Sequence, residues 1–228
     1  MTTVAADRRG VAIADRPAGF RYGAVLAIVL VTVVFEVLAP DADWARAVAI
    51  ALVGSALTVS VATSRARAQV RRARTFVVGG IAFLVVVGIA TGLVNAWGAF
   101  LVGTLVVAFI PIALGGGLLR LIRDEGVTVQ AVAGALAVYL LVGLLFASAI
   151  SFAATVGSGS FFAEAGHVTN GDRVYYSFTV LTTTGFGDYT TATSVGHALA
   201  VLEMLIGQIY LVTVIGILIG NFAGRKRT

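Results

Sequence analysis

Blocks of apolar residues limit what this chain can become more than any other feature. Six stretches, at about 22–39, 44–63, 76–94, 97–119, 127–155 and 194–222, are long and apolar enough to cross a membrane. Crossing ~30 Å of hydrocarbon takes ~20 helical residues. Charged residues make up 12% of the 228, about half the ~25% of an ordinary soluble domain. The expectation is an all-α membrane protein with six transmembrane helices. There is no cysteine, so disulfides and thiolate metal sites are excluded.

The basic residues orient the spans. Arg8, Arg9, Arg16 and Arg21 precede the first. Arg65, Arg67, Arg71, Arg72 and Arg74 join the second to the third. Arg120 and Arg123 follow the fourth, and Arg225, Lys226 and Arg227 follow the sixth. That is 14 of the 16 lysines and arginines on one side, against Arg46 and Arg173 on the other. Cytoplasmic loops carry the excess of Lys and Arg, so both termini are expected in the cytoplasm of a multi-pass cell-membrane protein. The net charge of +5 is then a matter of topology and not of nucleic acid. Residues 1–42 also have the outline of a signal peptide, with small residues near Ala39 and Ala42. The length and late start of the apolar stretch favour a span. Fifteen arginines to one lysine, with abundant Ala, Val and Gly, point to a GC-rich prokaryotic genome.

Between the fifth and sixth blocks, residues 156–193 are too polar to span and too apolar in the middle for a simple loop. Residues 172–183, DRVYYSFTVLTT, read as a short helix, with Val174, Phe178 and Leu181 at helical spacing. Asp172 suits its start, where a carboxylate meets the positive end of the helix dipole. Thr-Gly-Phe-Gly-Asp follows at once and cannot continue the helix comfortably, since glycine costs ~1 kcal/mol there. Non-helical backbone at membrane depth is tolerated only when buried in protein or lining water. The segment is therefore expected to dip into the membrane and return.

This arrangement of span, short helix, TTTGFGD and span resembles the pore module of the tetrameric potassium channels over about residues 127–223. Their filter is usually written T-V-G-Y-G followed by Asp. Its rings of backbone carbonyls replace the water around a dehydrated ion. The resemblance implies a potassium-selective channel in which four chains each contribute Thr183, Thr184, Gly185, Phe186 and Gly187. K+ would be held by the carbonyls of Thr183, Thr184, Gly185 and Phe186 and by the Thr183 hydroxyl. Gly185 and Gly187 would allow backbone of alternating hand. The alternative within the same class is a weakly selective or non-selective cation channel. The implied assembly is a homotetramer with no catalysis and no cofactor beyond the permeant K+.

The resemblance also implies a supporting shell of Asp188, Tyr175, Tyr176, Thr179, Thr182 and Glu203. Tyr175 is expected to hydrogen-bond Asp188, and Phe186 to pack back against the aromatic short helix. Phe186 stands where the family usually has tyrosine and Thr184 where it has valine. The Thr184 hydroxyl then needs a partner, for which Thr179 and Glu203 are candidates. Glu203 lies in a span, where a carboxyl group is costly and functional by default. Two placements are open to it: the base of the short helix, accepting from threonine hydroxyls, or a cavity where it attracts cations. Gly207 is a candidate gating hinge, with a close helix contact as the other reading. His167 and His197 read as solvated residues.

The division expected is a cytoplasmic segment 1–21, a four-helix transmembrane domain 22–123, a pore domain 124–224 and a tail 225–228. The first four spans resemble a voltage-sensor domain without its arginines: residues 97–119 contain no Arg, Lys, Asp or Glu. Weak or absent voltage gating follows, since each sensing charge contributes ~2.3 kcal/mol per 100 mV. With Thr228 the last residue, no regulatory domain is expected to follow. The arginines at 65, 67, 71, 72 and 74 are a topology determinant and a candidate contact for anionic lipid.

Overall fold

The computed structural model describes residues 19–42, 44–45, 48–49, 51–52, 55, 111–112, 114–115, 118–119, 122, 126–157, 159–164, 166–216 and 218. Within them lie four helices: α1 (Gly19–Leu38), α2 (Val129–Val156), α3 (Asn170–Leu181) and α4 (Ser194–Ile209). A π-helical turn over Tyr210–Ile215 continues α4. Val129–Val156 and the run Ser194–Ile215 are long and apolar enough to cross a membrane. These two match the fifth and sixth expected spans, and α1 matches the first. The second and fourth spans are described only at scattered helical residues. The third, the arginine-rich link 65–74 and both chain ends lie outside the described residues.

Threonine starts three of the helices. Thr128 accepts from Ala131 N–H at 3.2 Å, and Thr193 accepts from Gly196 N–H at 3.0 Å. A side-chain oxygen at this position satisfies one of the N–H groups that a helix leaves unpaired at its start. At α3 the cap is reciprocal. Thr169 Oγ1 accepts from Asp172 N–H at 3.1 Å, while Asp172 Oδ2 accepts from Thr169 N–H at 2.8 Å and from its hydroxyl at 2.7 Å. This capping box moves the helix to Asn170–Leu181, two residues earlier than the expected 172–183. Asp172 is its third residue and not its start.

The core has α2 at its centre. Tyr22, Val25 and Val29 of α1 pack with Ala137, Val138, Leu141 and Leu144 of α2. The far end of α1 reaches α3. Asn170 N–H donates to Asp41 Oδ1 at 3.1 Å, and a side chain on Gly171 would run into the Val37 carbonyl. Thr32, buried among these apolar residues, donates its hydroxyl to Ile28 O at 2.8 Å. The first helix thus packs directly along α2 and against the start of α3.

Candidate functional site

After Leu181 the helical ladder closes on itself and the chain turns. Thr182 N–H donates to Phe178 O at 3.1 Å and Thr183 N–H to Val180 O at 2.9 Å. Thr184 and Gly185 N–H both donate to Thr179 O, at 2.9 and 3.1 Å. The amides of 183–185 are therefore turned back onto α3. No backbone amide among the described residues donates to the carbonyls of Thr183–Gly187.

The dihedral angles explain how the carbonyls are set. Thr183, Gly185 and Gly187 have φ of +57°, +53° and +80°. Every second residue is left-handed, the alternation expected at Gly185 and Gly187, and it starts one step earlier at Thr183. A β-branched residue at positive φ is an outlier costing of order 1–3 kcal/mol, sustained only when the surroundings enforce it. Here the enforcement is the run of amide bonds to Val180 and Thr179.

Side chains brace the segment at its ends. Thr182 Oγ1 donates to Phe178 O at 2.7 Å and lies 2.8 Å from Thr184 Oγ1. The Thr184 hydroxyl is thus partnered by Thr182 and by neither expected candidate: Thr179 donates its own hydroxyl to Tyr176 O at 2.8 Å. At the other end Tyr175 Oη donates to Asp188 Oδ2 at 2.8 Å. The Phe186 ring stacks on Tyr175 with centroids 6.4 Å apart and planes 2° from parallel. Tyr176 turns elsewhere. It is buried edge-on to Phe162 at 5.1 Å.

The loops flanking α3 are joined to each other. Phe162 and Thr191 form an antiparallel bridge, with Ala163 N–H to Thr190 O and Ala192 N–H to Phe161 O, both at 2.9 Å. Glu164 accepts from Thr190 N–H at 2.9 Å and from its hydroxyl at 2.7 Å. The backbone bond from Thr190, then that from its hydroxyl, holds the Glu164 carboxyl below its ordinary value. Glu164, His167, Asp188 and Tyr189 line a cleft of about 340 Å³ beside the segment.

Behind the segment, α2 and α4 grip the end of α3. Tyr139 Oη donates to Leu181 O at 3.1 Å. Gly207 faces the same carbonyl so closely that a side chain there would collide with it. Gly207 lies inside regular α4 and makes this close contact; the irregular winding comes three residues later. Glu203, one turn earlier, is fully buried and accepts or donates at 2.6 Å to Ser177, where a threonine had been expected.

Sequence reasoning did not single out Ser177, Tyr139 or Thr169. Each left a signal: a hydroxyl among the apolar residues of α3, a polar-tipped ring in the middle of a largely apolar span, and the T-x-x-D spacing of a capping box. His167 lies in the cleft, and His197 is exposed on α4.

Two helices long and apolar enough to cross a membrane, with a shorter helix and a left-handed-alternating return between them, fit an all-α membrane protein. Residues 135–223 match the family model described as ion channel. No curated protein and no solved structure was found to match the chain.

Proposed function

We propose that the chain forms a homotetrameric, potassium-selective channel whose filter is Thr183-Thr184-Gly185-Phe186-Gly187. The observation that carries this reading is the alternation of φ at 183, 185 and 187, with the amides hydrogen-bonded back to α3. That leaves a row of carbonyls on one side of the strand for a cation. The carbonyls of Thr183, Thr184, Gly185 and Phe186, with the Thr183 hydroxyl, are the K+ ligands. Asp188 and Tyr175 tie the outer end.

One strand cannot enclose an ion, and the rest of the module supports assembly. Thr182–Asp188 are all exposed in the single chain. So are Val201, Leu202, Met204, Leu205, Ile206 and Ile209 of α4. Four copies around an axis place the strands face to face and cover much of α4. In this reading both termini are cytoplasmic in a cell membrane, the cleft opens outward, and the arginines at 65–74 meet anionic lipid. The charge-free fourth span makes voltage gating weak, so open probability should change little over the physiological voltage range.

The test is the purified protein in a planar bilayer with opposed K+ and Na+ gradients. A reversal potential near that of K+ supports the proposal. One near zero returns the weakly selective cation channel, and absence of current overturns both.

A further inference from the structure

The Ser177 hydroxyl lies between two oxygens. Gly143 O of α2 is at 2.8 Å and Glu203 Oε1 of α4 at 2.6 Å. A carbonyl oxygen only accepts, and so does an ionised carboxylate, while a serine hydroxyl brings a single proton. Two contacts of this length need two protons. If Glu203 is ionised, one contact is left as oxygen facing oxygen with nothing between them. If Glu203 keeps its proton, both are satisfied in one direction: Glu203 donates to Ser177, and Ser177 donates to Gly143 O.

The surroundings agree. Glu203 is 0% exposed. The titratable groups near it are Tyr139 on α2 and Tyr176 on α3, neither a cation. Its other oxygen, Oε2, has no hydrogen-bond partner among the described residues. An ionised carboxylate in a dry site recruits partners to both oxygens, whereas the carbonyl oxygen of a neutral acid is far less costly to leave alone.

We propose that Glu203 is held as a neutral acid and donates its proton to Ser177, making a directed chain Glu203 to Ser177 to Gly143 that fastens α4, α3 and α2 together behind the Thr183–Gly187 segment. Glu203 is then a positioning residue that touches no ion. Gly207, on the same face of α4 one turn on, presses the Leu181 carbonyl, so α4 holds α3 at two successive turns. The effect on conduction rests on the channel reading above; the proton count does not.

Infrared spectroscopy of the full chain in lipid at neutral pH tests this. Subtracting the Glu203→Gln spectrum should reveal a protonated-carboxyl C=O band in the wild type, displaced in Ser177→Ala because its acceptor is gone. Loss of an ionised-carboxylate band instead overturns the proposal. Glu203→Gln retains a donor and an acceptor, so it serves where Ser177→Ala fails to fold. In the same preparations Glu203→Met should cut K+ flux several-fold and Glu203→Gln should restore most of it. A wild type that shows the C=O band but carries no flux breaks the channel reading and leaves the proton chain standing.

Discussion

The segment Thr183–Gly187 and the residues behind it, Ser177, Leu181 and Glu203, are neighbours built on opposite terms. The segment is exposed in the single chain and shaped by its backbone, through three left-handed residues and amides bonded to α3. Ser177, Leu181 and Glu203 are buried to the last atom or nearly so, and are fixed by side-chain bonds and close contact between helices. The lesson is a division of labour. The segment depends on dihedral angle. The buried layer depends on volume and proton count and tolerates little of either.

That contrast is open to attack at four points. The largest effect is expected from Gly185→Ala. The site around it is empty of neighbours, so only φ opposes the methyl group, at ~1–2 kcal/mol for a non-glycine residue in the left-handed region. Flux should be abolished while the protein still assembles, as read by liposome flux beside size-exclusion chromatography. Normal flux would show that dihedral angle does not govern the segment. Gly207→Ala tests the buried layer. The obstacle there is the Leu181 backbone carbonyl and not a flexible side chain, so the helices must separate. Overpacking of this kind costs ~1–3 kcal/mol, visible as a lowered Tm. An unchanged Tm would mean that α3 and α4 are not in fixed contact.

Tyr175→Phe removes the hydroxyl that holds Asp188 while keeping the ring stacked on Phe186. The conducting state should become shorter-lived, with selectivity retained, in single-channel records. Equal loss of selectivity would show that the tie shapes the whole segment. The smallest effect belongs to Glu164. Its carboxyl value is lowered in the folded chain, so its tie to Thr190 contributes fully above the ordinary value of 4.5. The contribution is lost as pH falls through the lowered folded value. Hydrogen exchange at the Thr190 amide should quicken only in that acid range, and Glu164→Gln should flatten the dependence.

The sequence made the two membrane-length helices and the glycine-bearing turn between them legible because apolar length and glycine spacing are local properties. Gly185, Gly187 and the Tyr175–Asp188 pair were readable on the same ground or through the resemblance. What escaped it depends on distance in the chain. Thr183 is left-handed because amides find carbonyls on α3, which no propensity of threonine encodes. Ser177 matters because residues 34 and 26 positions away meet its hydroxyl. The close contact of Gly207 needs the Leu181 carbonyl opposite it, 26 positions away in the chain. The start of α3 was misplaced by two residues for a different reason: Thr169 and Asp172 cap reciprocally, and only the second was weighed.

The π-helical turn at Tyr210–Ile215 has a consequence for motion. Its hydrogen bonds run from i to i+5, so it stores one residue more than an α-turn over the same path. Releasing that residue by rewinding to α would rotate everything beyond Ile215 by ~100° and advance it by ~1.5 Å. Tyr210, at the head of the turn, donates its hydroxyl to Ala135 O on α2 at 2.8 Å, which pins the upstream side. Such a rewinding turns the far side of the helix about a fixed collar at Tyr210, a ratchet of one tooth that needs no bend.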